Sequence, residues 1–412
     1  MIESLLENFR GKDITRGTKV LTAATAVRWA GWGFAENLVP IFLFSFSASY
    51  AEAGLLKSSY DIAMILSLPI IGIFADRIRP TTLILLGLAL YVIVGTSYLL
   101  AGITGIALFV IIARLFNGVG FGLDAIGRET YFRRHNRPEK LATVFGYFDS
   151  VAIFWWIASA LIGIFLVKHF ALHWLLFMIV PTVMISFSII WAWRKNGEES
   201  ANLVVDKKIN YRDLFKELGM WNYKLKLILL LNLILSASWS IIIFFLPIEM
   251  FIEGASYTTI ILFGVATMLP VMFGMFLGRI FDWKGPRIFA YGLLLYGMLL
   301  ILIGFGGSYV FLIVTAFLIG IIQEFVAVGR EELVTMNSRP EHFGRVGGLM
   351  RSIMNIGAMM GPLIAGITID ATGSMRIVFM GLAGCMLLLA FAFSVFGRAK
   401  HLQKTKAVVA GI

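Results

Sequence analysis

Ionisable side chains occur inside the long apolar runs of this sequence, where they are costly to place. An Arg, Lys or Asp at the centre of a membrane helix costs about 2.5–3.5 kcal/mol on insertion scales, so such residues line a water-filled path or pair internally. The residues of this kind are Arg28, Glu36, Lys57, Asp61, Arg114, Asp124, Asp149, Glu324 and Arg351. A buried carboxylate can take up and release a proton, and a buried guanidinium can hold a carboxylate.

Motifs of soluble enzymes do not occur in this sequence. It has no HExxH, no CxxC and no nucleophile elbow, so we expect no enzymatic activity and no cofactor. His169 and His173 are four residues apart, but no third metal ligand accompanies them, so they are interpreted as surface residues and no metal site is predicted. The single cysteine, Cys385, excludes an intramolecular disulfide.

The composition predicts a membrane protein. Of 412 residues, 59% are hydrophobic and 14% are charged, and apolar runs of about 20 residues recur, each long enough to cross the bilayer as a helix. We expect an all-α fold of twelve membrane-spanning helices, numbered here as spans 1 to 12. Their predicted centres are Gly33, Leu66, Ala89, Gly118, Ile157, Ile185, Ile241, Met268, Met298, Leu318, Gly357 and Leu387.

The basic residues are distributed unequally between alternate loops. Of the 35 Lys and Arg residues, 29 fall in the two tails, the central loop and the loops on the same side, whereas the opposite loops have only Lys168 and Arg376. This pattern predicts a multi-pass cell-membrane protein with both termini in the cytoplasm. The net charge of +11 is thereby explained by topology, and no nucleic-acid partner is expected.

The chain contains an internal repeat. Gly127-Arg128-Glu129 recurs as Gly329-Arg330-Glu331 at a shift of 202, and Trp32 and Pro40 recur as Trp239 and Pro247 at a shift of 207. A slowly changing offset is typical of a duplicated unit whose loops differ in length. We therefore predict two six-helix bundles, residues 1–195 and 222–412. Between them lies a cytoplasmic linker, 196–221, whose residues 211–218 have the amphipathic spacing of an interfacial helix.

Two repeated charged loops indicate the family. Gly72, Asp76, Arg77 and Arg79 follow span 2, and Gly278, Asp282, Lys284 and Arg287 follow span 8. With twelve spans in two halves, these G-x-x-x-D-(R/K)-x-G-(R/K)-(R/K)-like loops resemble the major facilitator superfamily over nearly the whole chain. The first copy has Arg79 where the family usually has glycine, and the second has Trp283 where it usually has a base. The resemblance implies the major facilitator fold.

The charged loops suggest a gate. An aspartate near the start of a neighbouring helix is stabilised by about 0.3–1 kcal/mol, so Asp76 is expected to meet the start of span 11 near Phe343, and Asp282 the start of span 5 near Leu141. Glu129 and Glu331 lie at the same edge, where basic loop residues could pair with them. The alternative is that these loops only fix topology. The predicted gating set is Gly72, Asp76, Arg77, Arg79, Arg128, Glu129, Gly278, Asp282, Lys284, Arg287, Arg330 and Glu331.

Span 4 contains a glycine-rich stretch after Arg114. Gly118, Gly120 and Gly122 do not follow a strand, so close helix packing is favoured over a phosphate-binding loop. The stretch resembles the family motif R-x-x-Q-G-x-G, with Asn117 replacing Gln, and in the family that arginine is associated with proton coupling. The antiporter signature of span 5 is missing around 154–156, and a related pattern appears instead in span 11, at 357–366.

The charged residues within the spans fall into two layers at different depths in the membrane. Glu36, Asp61 and Arg114 fall in a central layer, whereas Arg28, Asp124, Asp149, Glu324 and Arg351 lie nearer the cytoplasm. In the family fold, spans 1, 4, 7 and 10 line a cavity, 2, 5, 8 and 11 form the interface between halves, and 3, 6, 9 and 12 face lipid. Arg28, Trp32 and Glu36 are spaced as one helical stripe, and Lys57 and Asp61 are spaced to neutralise each other.

The repeat places the central charges in the first half alone. Arg28, Glu36, Asp61 and Arg114 correspond to Leu235, Ile243, Thr267 and Ala316 in the second half. This one-sidedness predicts coupling-ion or substrate chemistry in the first half, opposite apolar and aromatic walls that include Trp239. The predicted site residues are Glu36, Arg114, Arg28, Trp32, Asp61, Asp124, Asp149, Asn117, Glu324, Arg351 and Trp239.

The resemblance and the charges together predict secondary active transport of a small organic solute by alternating access. We expect a monomer in the lipid bilayer, driven by protons, with Glu36 as the titrating carboxylate. An apolar and aromatic cavity favours an amphipathic or cationic substrate and efflux. A nutrient or organic-anion symporter, in which Arg28 and Arg114 hold a carboxylate, is the alternative within the same class. A non-transporting receptor or scaffold is the alternative of another class.

Overall fold

The described part of the chain is helical throughout. The structure is a computed structural model that describes residues 14–75, 77–137, 141–195, 223–273, 286–337 and 343–409, and these residues form no strand. A helix occupies each of the twelve predicted spans. Nine helices in the described residues have the length and apolar composition to cross a membrane, which confirms the prediction of an all-α multi-pass membrane protein.

Two of the spans in the first half are interrupted. Span 1 consists of a helix at Arg16–Gly33, a 3-10 turn at Glu36–Leu38 and a short helix at Val39–Phe44. Span 6 is divided into Leu172–Phe177 and Ile179–Lys195. Spans 2 to 5 are continuous, at Tyr50–Ala75, Pro80–Thr104, Ala107–His135 and Leu141–Leu166.

Most helices of the second half are continuous. Span 7 is Tyr223–Ile252. Span 8 begins as Tyr257–Met268 and tightens into a 3-10 turn at Leu269–Phe273. Spans 9 to 12 are Pro286–Phe305, Tyr309–Asn337, Phe343–Thr372 and Met375–Val409.

The chain divides into two compact units that follow the repeat with one exception. The first unit is Met1–Ile209 with Phe244–Val265, and the second is Asn210–Ile243 with Ala266–Ile412. The end of span 7 and the start of span 8 therefore belong to the first unit. There the hydroxyl of Tyr50 donates to Glu249 Oε2 at 3.4 Å, and the Tyr50 ring lies 6.1 Å from that of Phe245.

In the first unit, glycines let span 4 approach its neighbours closely. A Cβ on Gly118 would collide with the carbonyl of Tyr60 in span 2, and a Cβ on Gly120 would come within 3.2 Å of the Gly87 carbonyl in span 3. Because the glycines contact backbone of two neighbouring helices, the packing interpretation of this stretch is confirmed. Span 4 is thus held where its polar side chains reach spans 1 and 2.

In the second unit, spans 7 and 11 are joined by a regular polar ladder. Asn232, Ser236 and Ser240, four residues apart, donate to Met350 Sδ at 2.9 Å, to the Met354 carbonyl at 2.6 Å and to the Ala358 carbonyl at 3.0 Å. The glycine pattern of span 11 lies in the same contact, because Gly357 and Gly361 meet the backbone of span 7. In the described structure this pattern packs two helices together.

Candidate functional site

The break in span 1 places Glu36 at the end of one helix and the start of the next. Ala35 leaves the helical region, at φ −141° and ψ 1°, and its N–H donates to the Trp32 carbonyl at 3.2 Å. Pro40 has no N–H, so it suits the first turn of the short helix that follows and disfavours a continuous one. The predicted single stripe of Arg28, Trp32 and Glu36 is therefore wrong for Glu36, because the helix ends at Gly33.

Glu36 accepts a hydrogen bond from span 5. The donor is Nε1 of Trp156, whose side chain is 4% exposed, whereas Glu36 itself is an exposed residue. A buried indole N–H needs an acceptor, and the carboxylate of Glu36 supplies one. Trp156 therefore holds an exposed acidic side chain at the break of span 1.

A buried charge network joins spans 1 and 4. Arg28 Nη2 lies 3.0 Å from Asp124 Oδ2, and the same carboxylate pairs with Arg128. Arg128 also donates to the Thr25 hydroxyl at 2.6 Å, and the Arg28 guanidinium lies 5.0 Å from the Tyr91 ring. The residues of this network are buried, at 2% exposure for Arg28, 1% for Asp124 and 5% for Arg128.

A second set of charges joins spans 2 and 4. Lys57 and Asp61 form an ion pair with 2.7 Å between Nζ and Oδ2, as their spacing allowed. Arg114 donates through Nε to the Leu56 carbonyl at 3.3 Å and through Nη2 to the Lys57 carbonyl at 2.8 Å. Its guanidinium also lies 4.9 Å from the Tyr60 ring. Arg114 therefore binds the backbone of span 2.

The remaining site residues are more scattered. Asn117 is buried at 7% exposure, Asp149 and Arg351 are exposed, and Glu324 and Trp239 are half-buried. Trp32 packs edge-on against Tyr91, with ring centroids 6.2 Å apart.

The predicted gating set is described only in part. Arg77 and Arg79 are exposed, and Glu129 forms an ion pair with Arg133 at 3.8 Å. Arg128 was expected at the loop edge, but its side chain lies inside the first unit with Asp124. Arg330, its repeat partner, is also buried, at 8% exposure. A Cβ on Gly72 would meet no described atom within 4 Å.

The other gating residues fall beyond what the structure describes. Asp76, Gly278, Asp282, Lys284 and the side chains of Arg287 and Glu331 lie outside the described residues, as does the predicted interfacial helix at 211–218. The described parts of spans 5 and 11 begin at Leu141 and Phe343, and the residues just before them are not described.

Buried charge is concentrated in the first half of the described chain. Arg28, Asp61, Arg114, Asp124 and Arg128 are buried there, whereas Arg330 is the one buried charged side chain of the described second half. The repeat partners Leu235, Thr267 and Ala316 are buried at 0%, 1% and 0% exposure. The one-sided distribution predicted from the repeat is therefore present in the packed molecule.

Sequence reasoning missed two contributions to the site. The predicted site residues did not include Trp156, which donates to Glu36, or Thr25, which accepts from Arg128. The available signal was the chemistry of tryptophan itself, since an indole in the interior usually bonds its N–H to a partner.

The described chain is helical, with helices long and apolar enough to cross a membrane and with buried charges concentrated in its first half. The sequence profile of the Major Facilitator Superfamily matches residues 21–297 and 285–410. The chain therefore belongs to this superfamily of transporters.

Solved structures of low sequence identity share the fold. The nucleoside transporter NupG superposes with a TM-score of 0.73 at 16% identity, covering 92% of this chain and 99% of that one. A bacterial homologue of the human lysosomal transporter Spinster gives 0.66 at 16% identity, covering 93% and 95%. The human organic anion transporter MFSD10 gives 0.65 at 18% identity, covering 92% and 99%. A search of curated protein sequences finds no significant match.

Proposed function

We propose that this protein is a proton-coupled secondary active transporter that exports a small organic solute from the cytoplasm by alternating access. It acts as a monomer in the cell membrane, with both termini in the cytoplasm. The observation that carries the proposal is the position of Glu36, an accessible carboxylate at the break of a span, held by a buried indole N–H. Broken membrane helices commonly form ion and substrate sites in transporters.

The neighbouring charges support Glu36 as the coupling group. Asp61 is neutralised by Lys57, and Asp124 lies between two arginines, so neither carboxylate is available to exchange a proton without leaving buried cations unbalanced. Glu36 accepts its bond from a neutral donor, so its protonation unbalances no ion pair. Desolvation favours the neutral acid and nearby cations favour the ionised one, so a bound ligand can change the balance.

An amphipathic or cationic solute is the substrate class that fits best. Glu36 supplies a negative charge, and the half-buried Trp32 supplies aromatic surface on the same span. The charged loops after spans 2 and 8, with Asp76 and Asp282, are proposed to latch the cytoplasmic side when it is closed.

One observation favours an organic-anion symporter as the second candidate. Nε of the buried Arg28 has no hydrogen-bond acceptor among the described residues, and Nη2 pairs with Asp124 without the alignment of a hydrogen bond. A carboxylate or phosphate on a solute would satisfy these donors in a state of the transport cycle that opens this buried network to the solute. One of the similar structures is named as an organic anion transporter and another as a nucleoside transporter.

Purified protein in liposomes tests the proposal. Candidate cationic, anionic and neutral solutes are offered with and without a pH gradient of either direction. Accumulation of a cation or an amphipathic solute against its gradient, in exchange for protons, supports the first candidate. Co-accumulation of an anion with protons supports the second. No transport of any solute class, with the fold intact by circular dichroism, would favour the receptor or scaffold alternative.

A further inference from the structure

Three contacts from span 5 converge on the break in span 1. Trp156 Nε1 donates to Glu36 at the start of the 3-10 turn. On the side before the break, an added Cβ on Gly33 would collide with Ser159 and the Trp156 carbonyl. At the break itself, a Cβ on Gly163 would collide with the backbone of Phe34. Two of these contacts are steric and unchanged by pH, whereas the third involves an ionisable group.

The break is the part of span 1 with the weakest internal support. A continuous helix bonds each N–H to the carbonyl four residues earlier, whereas Ala35 and Leu38 bond carbonyls three residues earlier, at 3.2 and 2.9 Å. Segments with few regular hydrogen bonds open locally at low free-energy cost. Contacts from span 5 therefore help to fix the angle between the two helical parts of span 1.

We infer that Trp156 is a positioning residue that fastens the break of span 1 to span 5 through Glu36, so that proton binding by Glu36 loosens the break. This inference rests on the proposed function, in which Glu36 is the proton site. A hydrogen bond to an ionised acceptor is roughly twice as strong as one between neutral groups. Protonation of Glu36 weakens the bond from Trp156, and the short helix Val39–Phe44 gains freedom to change its angle.

Other charged and titratable groups act on Glu36 at longer range. These are Arg28 on its own span, Tyr60 on span 2, Tyr91 on span 3 and Arg114 on span 4. Arg28 is engaged by Asp124, and Arg114 by carbonyls of span 2. Trp156 thus supplies the direct hydrogen bond, and the other groups contribute longer-range electrostatic interactions.

Hydrogen exchange measured by mass spectrometry tests the fastening without reference to transport. The variants are Trp156→Phe and the matched control Trp155→Phe, which removes the same atoms from an adjacent residue that is 48% exposed. At neutral pH we expect exchange of the amides at 34–38 to rise about tenfold in Trp156→Phe, because a hydrogen bond to a charged group is lost. Trp155→Phe is expected to match wild type. Equal protection in all three proteins would overturn the inference.

Two further variants separate the lost bond from lost packing. Trp156→His retains a ring N–H and is expected to recover part of the protection. In a Glu36→Gln background, Trp156→Phe is expected to change exchange at 34–38 by less than threefold, because the ionised acceptor is already absent. A full tenfold effect in that background would assign the contact to packing and overturn the inference.

Transport against pH then separates this inference from the proposed function. In proteoliposomes, the pH of half-maximal transport is expected to move upward by about one unit in Trp156→Phe, because removing a donor to the ionised form favours the protonated form. If the amides at 34–38 exchange equally slowly in Trp156→Phe and in wild type, the inference about Trp156 is wrong, even if transport is driven by protons. Proton-independent transport by wild type contradicts the proposed function, and the exchange data still decide whether Trp156 fastens the break.

Discussion

Arg28 and Asp124 form an ion pair between spans 1 and 4, with 3.0 Å between Nη2 and Oδ2 and side chains only 2% and 1% exposed. A buried ion pair adds little stability over apolar residues of the same size, but removing one partner leaves a buried charge uncompensated. The carboxylate of Asp124 also faces Arg128, so its loss would leave two buried cations.

We predict that Asp124→Asn strongly destabilises the protein. The matched control is Glu129→Gln on the same helix. Glu129 and Arg133 are four residues apart, as Asp124 and Arg128 are, but their side chains are 30% and 64% exposed and lie 3.8 Å apart. The expected loss is about 3–5 kcal/mol for Asp124→Asn and below about 1 kcal/mol for Glu129→Gln. Unfolding in detergent, followed by circular dichroism, measures both. Similar losses of unfolding free energy in the two variants would show that burial does not determine how much an ion pair's removal destabilises the protein.

Substitution of Glu36 tests proton coupling. Glu36→Gln keeps the shape and an acceptor for Trp156 but cannot ionise, so gradient-driven accumulation is expected to disappear while downhill exchange continues. Asp61→Asn is the comparison, because Asp61 is paired with Lys57 and its loss is expected to reduce stability more than coupling. Proteoliposome uptake with and without a pH gradient measures the difference. Accumulation by Glu36→Gln under a proton gradient would exclude Glu36 as the coupling site.

Arg114 is expected to be a structural link between spans 2 and 4. Its guanidinium bonds two successive carbonyls, which a single ammonium group does not reproduce. We therefore predict that Arg114→Lys restores little of the stability lost in Arg114→Ala, although the charge is kept. Thermal unfolding of both variants measures the loss, which we expect at about 1.5–3 kcal/mol. Full recovery by lysine would assign the role of Arg114 to its charge.

Two glycines of span 5 provide a test of the packing at the break. Gly163→Ala would place a Cβ against the Phe34 backbone, whereas a Cβ on Gly146 meets nothing within 4 Å. We expect Gly163→Ala to destabilise by about 1–3 kcal/mol because the two backbones must separate. Gly146→Ala is expected to be neutral or stabilising by up to about 1 kcal/mol, since alanine favours helix. Equal midpoints of thermal unfolding for the two variants would contradict the close approach.

The distribution of basic residues predicts the orientation in the membrane. In a Cys385→Ser background, single cysteines at Ser49 and Ser308 are expected to react with an impermeant thiol reagent added outside intact cells. A cysteine at Asn196 is expected to react only after the membrane is opened. Labelling of Asn196→Cys from outside would reverse the assigned topology.

The sequence by itself determined the class of protein and the order of its helices along the chain. Span length, apolar composition and the doubled charged loops are local or repeated properties, and each predicted span holds a helix. The concentration of charge in the first half was predictable by comparing each charged residue with its repeat partner in the second half. That comparison needs only the sequence and no knowledge of packing.

Only the tertiary structure decided which groups meet. The sequence grouped Glu36 with Arg28 by helical spacing, but the break at Phe34 and Ala35 directs Glu36 to Trp156, while Arg28 meets Asp124 of span 4. The partners are 120 residues apart in one case and lie on different helices in both, so no local pattern specifies them. Contacts between helices depend on crossing distance and rotation, which packing determines through small residues such as Gly33 and Gly163.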